Sequence, residues 1–175
     1  MHPKKLKCTV DTANKNNGKT ILAGVLSGLF GLLLVMSVSD IRWLNAVGIK
    51  TLIPAAAAVL LLGVPAHELY HIATARLLGY SATGKWLPIP VIRIEGTLTK
   101  WGAVGIKMAP LMDLTLISAL ILAFFPSALD PALAIFLVGN MAGSGSDIVQ
   151  SYYIFKLADS HSLIQFTWDG FEILE

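Results

Sequence analysis

The chain has 175 residues, of which 55% are apolar and 14% are charged, and its mean hydropathy is +0.69. A soluble domain has about 25% charged residues, so this composition excludes a typical soluble protein and indicates a membrane protein that forms one compact domain. The net charge of +2 is too small to indicate nucleic-acid binding, and the single cysteine, Cys8, excludes an internal disulfide.

The N-terminal region divides into a tail and an apolar segment. Residues 1–19 contain five lysines against one acid, Asp11, so we expect a loose, basic tail on the cytoplasmic side. Residues 20–39 carry no charge and predict a first membrane helix, because twenty residues at about 1.5 Å each cover the roughly 30 Å hydrocarbon layer. A signal peptide is the alternative for this segment, but its apolar core would be shorter, about 7–15 residues.

Three further apolar segments predict helices at residues 52–79, 107–125 and 131–157. Pro65 falls inside the second segment and predicts a kink or a restart of the helix just before residue 67. A glycine-rich stretch, residues 139–147, interrupts the fourth segment. The predicted fold is therefore an all-α integral membrane protein whose four transmembrane helices lie within residues 20–157.

Two regions outside these helices have β character. Residues 86–101 contain two prolines and then β-branched residues, which favours one or two strands near the membrane surface, with a plain loop as the alternative. The C-terminal tail, residues 158–175, holds Asp169-Gly170 between apolar residues, which is a hairpin signal. We therefore expect a small juxtamembrane β element beside the helices.

Lysine and arginine are distributed unequally between the two sides that four membrane helices define. With the N-terminus inside, eleven of the thirteen lie on the inner side, and only Arg42 and Lys50 lie outside. Cytoplasmic loops carry an excess of these residues, so we expect both termini to be cytoplasmic.

The second apolar segment contains the motif His67-Glu68-x-x-His71. On a helix, residues four apart lie on one face, so both imidazoles can bind one metal ion from the same side. Glu68 stands beside them, where a carboxylate that is not a ligand can act as a general base. Histidine and glutamate are costly in a membrane segment and are usually functional there. The motif therefore predicts a zinc site, although these ligand types also suit other divalent ions.

Catalytic zinc usually has three protein ligands, and the two histidines supply only two. Asp147 and Asp113 remain as candidates for the third, since each lies in an apolar helix at a depth similar to that of His71. We favour Asp147, because Asn140, Ser144 and Asp147 share one helix face. Asp113 is the candidate for an acceptor of a histidine ring N–H, with a structural contact as the alternative.

These motifs resemble those of the site-2 protease clan of intramembrane zinc metalloproteases. The chain is more closely similar to small zincin peptidases of the same broad group, which carry a late Asn…Gly-Ser…Asp motif, and the resemblance covers about residues 20–157. It implies that His67, His71 and Asp147 bind zinc and that Glu68 is the general base. It also implies that Asn140 holds the substrate or the oxyanion.

The late motif departs from the clan's pattern. Site-2 proteases typically have Asn-x-x-Pro and Leu-Asp-Gly, whereas this chain has Asn140-Met141-Ala142-Gly143 and Ser146-Asp147-Ile148. This difference weakens the transfer of the role of Asn140 and leaves the substrate class open.

The sequence thus predicts a membrane-embedded zinc metallopeptidase that cleaves membrane or membrane-proximal peptides near the cytoplasmic face. The alternative is a non-catalytic membrane protein that binds or transports metal, or an inactive scaffold with the same fold. Glu68 discriminates between them, because binding a metal does not need a carboxylate that is not a ligand.

Overall fold

The computed structural model describes residues 5–11, 17–38, 49–85, 91–125, 130–167 and 170–175. Its helices are α1 (Asn17–Val38), α2 (Ile49–Leu77), α3 (Lys100–Ala109), α4 (Thr115–Phe124), α5 (Asp130–Gly143) and α6 (Gly145–Leu157). A π-helical turn, Pro110–Leu114, joins α3 to α4. The strands are β1 (Leu6–Asp11), β2 (Ala82–Lys85), β3 (Val91–Ile94), β4 (Leu98–Thr99), β5 (Leu163–Phe166) and β6 (Gly170–Leu174).

Four helical segments in the described residues are long and apolar enough to cross a membrane. They are Gly18–Val38, Ala56–Leu77, Lys100–Phe124 and Asp130–Leu157. Their outward faces expose large apolar side chains, such as Leu61 at 74% and Leu62 at 72%. Soluble proteins rarely expose contiguous apolar surfaces of this kind, whereas lipid covers them without cost.

Close packing of α1 on α5 and α6 sets the position of the last two helices. A Cβ on Gly145 would lie 2.4 Å from the carbonyl oxygen of Thr20, and one on Gly24 would lie 2.6 Å from that of Ala142. Only glycine permits helix backbones to approach this closely. These contacts place the first turns of α6 against α1 and fix the height of the residues that follow.

A four-stranded antiparallel sheet in the order β1-β6-β5-β4 lies at one end of the bundle, and β2 and β3 form a separate antiparallel pair. The hairpin of β5 and β6 runs in register from Leu163–Leu174 to Phe166–Phe171, as the Asp169-Gly170 signal predicted. Side chains from α2, α3, α6 and the sheets share one core, which includes Ile72, Ile106, Ile154 and Phe171. This core holds the sheets against the helix ends.

The N-terminal region differs from the loose tail that its lysines predicted. Leu6–Asp11 forms β1 and pairs antiparallel with β6. Cys8 and Val10 pack against the core described above. The physical reason is the alternation of Cys8 and Val10, since a strand with one apolar face gains from joining an existing sheet edge. Residues 1–4 and 12–16 of the predicted tail lie outside the described residues.

Two helix boundaries also differ from prediction. The third membrane segment begins at Lys100 and not at residue 107, because the Thr99 side chain caps the helix by accepting from the backbone N–H of Gly102 at 3.1 Å. The fourth is divided at Ser144 into α5 and α6. The predicted restart of the helix near Pro65 does not occur. Pro65 lies inside α2, which continues through it, since the loss of one backbone hydrogen bond does not end a membrane helix.

The β element is larger than predicted. The predicted strand region, residues 86–101, contains β3 and β4, while β2 lies before it, and residues 86–90 lie outside the described part of the chain. Strands from both ends of the chain join β4 and β5 in one sheet, so the fold is a helical bundle with a sheet built from distant segments.

Candidate metal centre

His67 and His71 lie one turn apart on α2, and their ring centroids are 4.9 Å apart at an interplanar angle of 80°. Both side chains face the helix pair α5–α6, where Asn140 and Asp147 contact His67. The predicted shared face of Asn140 and Asp147 is therefore the face that meets α2.

Hydrogen bonds to Nδ1 fix which nitrogen of each histidine is available. Nδ1 of His71 lies 2.7 Å from the carbonyl oxygen of Ile106, which can only accept, so Nδ1 carries the proton. Nδ1 of His67 lies 2.9 Å from Oδ1 of Asn140. The orientation of that amide is set on its other side, where Nδ2 donates to the carbonyl of Pro110 at 3.0 Å. Both histidines therefore direct Nε2, which is the nitrogen with a lone pair in this tautomer of the neutral ring, toward Asp147.

The two Nε2 atoms converge on one oxygen of Asp147. Oδ2 lies 3.0 Å from Nε2 of His67 and 3.4 Å from Nε2 of His71. One ligand atom from each of these three residues lies within 4.8 Å of the others. Asp147 is buried, at 4% exposure. A buried carboxylate facing two imidazole lone pairs is favourable when a cation lies between them.

Two of these separations are compatible with bound zinc. Tetrahedral zinc with bonds of about 2.0–2.1 Å places neighbouring ligand atoms roughly 3.3 Å apart, and the two separations from Oδ2, 3.0 and 3.4 Å, lie on either side of that value. The donor set of two neutral imidazoles and one carboxylate also matches catalytic zinc sites, which keep the remaining position open. His67, His71 and Asp147 are therefore the residues that would hold the ion.

A cleft of about 330 Å³ opens beside these three residues. Glu68 lines it, and its carboxylate makes no hydrogen bond to any residue that the structure describes. Apolar side chains in the wall come from three places: Val64 and Phe136 in the bundle, Ile92 and Ile94 of β3, and Phe166 of β5. The cleft therefore brings the carboxylate of Glu68 and the three converging residues to one cavity whose wall is in part apolar.

Comparison with protein families finds a match over residues 60–161 to the family described as "Putative zincin peptidase". The chain belongs to this family. The matched region runs from the turn before His67 to a point beyond Asp147, so it contains the three residues that converge. Comparison with curated proteins and with solved structures finds no match. Membership in this family agrees with zinc as the ion that the two histidines and Asp147 would hold.

Asn140 lines the cleft, but its side-chain amide bonds to groups within the protein. Its amide is buried, with Oδ1 on the ring of His67 and Nδ2 on the carbonyl of Pro110 and, at 3.3 Å, on Oγ1 of Thr115. Each end of the amide is engaged within the protein. These bonds favour a role for Asn140 in orienting His67, and the role in holding the substrate or the oxyanion that the resemblance implies stays a prediction.

For Asp113 the structure shows the alternative that the sequence left open, a structural contact. Its Oδ2 accepts a hydrogen bond from the hydroxyl of Tyr70 at 3.0 Å, and its side chain is exposed. The acceptors for the two histidine N–H groups are Asn140 and the Ile106 carbonyl instead. The π-helical turn that contains Asp113 directs its side chain to the outer face of α2, away from the zincin ligands.

Two contributors to the site were missed from the sequence. Lys107 was counted only as a positive charge near the membrane surface, yet its Nζ lies 3.2 Å from Oδ1 of Asp147. The Ile106 carbonyl was not considered, but a signal for it exists. In an α-helix that carbonyl bonds to the N–H of residue 110, which here is a proline and has none.

Proposed function

We propose that this zincin is a membrane-embedded zinc metallopeptidase of the site-2 protease type. In this proposal it cleaves membrane or membrane-proximal peptides near the cytoplasmic face. The observation that carries the proposal is the convergence of Nε2 of His67 and Nε2 of His71 on one oxygen of Asp147, beside a free carboxylate, Glu68. Glu68 favours catalysis over metal storage, because a ligand set alone does not require it.

The membrane part of the proposal is supported by the distribution of lysines and aromatic residues. Three lysines at the ends of α1, α3 and α6 lie over aromatic rings: Lys19 over Tyr153 at 5.1 Å, Lys100 over Phe155 at 4.8 Å and Lys156 over Tyr152 at 5.7 Å. Aromatic and basic residues concentrate where a bilayer meets water. We infer that this end of the bundle, with the sheets, lies at the cytoplasmic surface.

In this orientation the candidate metal centre lies close to the cytoplasmic surface of the membrane. His71 is six residues from the end of α2 at Leu77, and Lys107 is seven residues from the start of α3, which corresponds to about 9 and 10 Å along the helix axes. Asp147 is ten residues from the end of α6 at Leu157, or about 15 Å. Water and substrate would reach the cleft from the sheet side.

The cleft suits a substrate in extended conformation. Among the described residues, β3 pairs with β2 along one edge only, and Ile92 and Ile94 of β3 line the cleft. A substrate segment that unwinds could pair with the other edge of β3, since strand addition satisfies backbone groups that a helix would otherwise satisfy. Its side chains would contact the apolar walls.

The chemistry follows from the residues at the floor of the cleft. A bound zinc ion lowers the pKa of a coordinated water and polarises a carbonyl. Glu68 would accept a proton from the water whose oxygen adds to the peptide carbonyl carbon. The same carboxylic acid then donates the proton to the amide nitrogen as the C–N bond breaks. His67, His71 and Asp147 keep their places through the hydrogen bonds described above.

Zinc content and proteolysis, measured together on the protein in detergent and in liposomes, test this function. We expect one zinc per chain and cleavage of a panel of single-span model peptides whose helices contain glycine. The variant Glu68→Gln should retain the zinc and lose cleavage by a factor of about 10²–10⁴, the usual contribution of a general base. Full zinc loading without cleavage of any panel member would favour the alternative, a non-catalytic metal protein.

A further inference from the structure

Lys107 contacts Oδ1 of Asp147, which is the carboxylate oxygen that does not face the histidines. Its Nζ lies 3.2 Å from Oδ1, while Oδ2 faces both Nε2 atoms. The two side chains are largely buried, at 20% and 5% exposure. The same Nζ lies 5.1 Å from the centroid of the Phe166 ring on β5. The Lys107 ammonium group therefore contacts both the Asp147 carboxylate and the Phe166 ring of β5.

A carboxylate can bind a metal ion through one oxygen or through both. With Oδ1 bonded to an ammonium group, Asp147 has one oxygen left to offer. We propose that Lys107 is a positioning residue that keeps Asp147 a one-oxygen ligand. The remaining coordination position then stays free for water. This inference rests on the metal site of the proposed function.

The placement of Lys107 is not that of an ordinary interfacial lysine. Lys100, seven residues earlier on the same helix, also lies over an aromatic ring, Phe155, but its Nζ donates to the carbonyls of Phe155 and Ala158 at the end of α6. Lys100 thus stabilises a helix terminus. Lys107 instead directs its charge at a metal-ligand carboxylate from within an apolar segment, where a buried ammonium is costly without a specific partner.

The expected consequence concerns the coordination number, so it can be measured without turnover. The metal-free protein is loaded with Co²⁺, whose visible absorption is strong with four ligands and weaker with five. We expect Lys107→Met to bind one Co²⁺ per chain but to lose much of this absorption, because Oδ1 of Asp147 becomes a second ligand atom. Lys107→Arg, which keeps the charge and the hydrogen bond, should restore the spectrum.

Activity and a matched control complete the test. In the zinc-loaded protein we expect Lys107→Met to lower cleavage by roughly 10- to 100-fold, the usual effect of losing a partner of a metal ligand. Lys100→Met removes a similar lysine from the same helix without touching Asp147, so it should leave the Co²⁺ spectrum unchanged.

Two outcomes separate the failure of this inference from the failure of the proposed function. A Lys107→Met protein with one Co²⁺ and the wild-type spectrum overturns the role of the lysine and leaves the metal site intact. A wild-type protein that binds no Co²⁺ contradicts the metal site itself. If Lys107→Met does not fold, Lys107→Leu replaces it, since leucine also has no donor for Oδ1, and an unchanged spectrum in that variant overturns the inference equally.

Discussion

The ring of His71 is tied through Nδ1 to the backbone carbonyl of Ile106, 2.7 Å away on a different helix. Helix carbonyls are normally occupied by the N–H four residues later. Residue 110 is a proline, so the partner that the Ile106 carbonyl would have in an α-helix does not exist. One proline in α3–α4 therefore creates the acceptor that sets the tautomer of a metal ligand on α2.

Replacing Pro110 should lower the zinc affinity, although it allows a backbone hydrogen bond that the helix now lacks. In Pro110→Ala a backbone N–H competes for the Ile106 carbonyl, and His71 loses its fixed orientation. We expect zinc affinity to fall by about 10-fold, at the lower end for a partner of a metal ligand. Competition with a chromophoric chelator measures it. Pro54→Ala, which removes a proline from α2 far from the site, is the control, and an equal effect in both variants would contradict this explanation.

Asn140 offers a test between two roles. If it orients His67, as its bond of 2.9 Å to Nδ1 indicates, Asn140→Ala should lower zinc affinity by about 10- to 100-fold. If it instead binds substrate, zinc affinity should be unchanged and KM should rise. Ser144→Ala is the control, because the Ser144 hydroxyl bonds only to the Asn140 backbone carbonyl in the described part of the chain. Metal affinity and KM measured on both variants decide between the two roles.

The two aspartates in the membrane segments should behave differently. Asp147→Asn removes the charge from the third ligand, so we expect zinc affinity to fall by at least about 100-fold. This is the largest loss usually caused by removing a residue that only bonds to a metal ligand. Asp113→Asn changes a residue that bonds to Tyr70, and we expect zinc binding within about twofold of wild type. Zinc content after dialysis against a chelator measures both. Loss of zinc in the Asp113 variant alone would reverse the assignment of the third ligand.

The N-terminal strand carries a pH-dependent contact. Nζ of Lys7 lies 2.5 Å from Oδ2 of Asp159 and 2.7 Å from Oε1 of Glu175. The hydrogen bond from Lys7, together with its charge, lowers the pKa of Asp159. Because the folded-state pKa is the lower one, this contact stabilises the fold above the unfolded value of about 3.9 and is lost as pH falls through the folded value.

Hydrogen exchange at the β1–β6 edge should report this contact. We expect the protection of the paired backbone amides of Lys5 and Glu175, both at 2.9 Å, to decrease below about pH 4. In Lys7→Met the decrease should already be present at neutral pH. The effect is small and is weakened by salt, since the charges are solvent-exposed. Lys5→Met is the control, and equal loss of protection in both variants would show that the ion pairs are not the cause.

The local features of the site were predictable because they depend only on spacing along the chain. Residues four apart share a helix face in any α-helix, so His67 and His71 had to be neighbours. Asp147 could be preferred over Asp113 because it shares a face with Asn140, and the structure places it on both histidines. The composition likewise fixed the apolar character of the four long segments.

The partners of those residues could not be predicted, because they depend on how helices are rotated and how closely they pack. Which side of the Asn140 amide meets His67, and which oxygen of Asp147 meets Lys107, is set by contacts between residues 40 to 80 positions apart. The strand β1 was not predicted because it is short and lies in a region, residues 1–19, with five lysines, and its pairing with β6 needs a partner at the far end of the chain.

The amino-acid sequence by itself determined that this chain has membrane-type helices and carries a zincin motif, since both are patterns of near neighbours. Only the tertiary structure decided that Asn140 and the Ile106 carbonyl orient the histidines, that Asp113 bonds to Tyr70, and that Lys107 holds Asp147. The physical reason is that the chemistry of a side chain depends only on its residue type, whereas its partner depends on how the helices pack. Glycines such as Gly24 and Gly145 set the distance between the helices and therefore which side chains can meet.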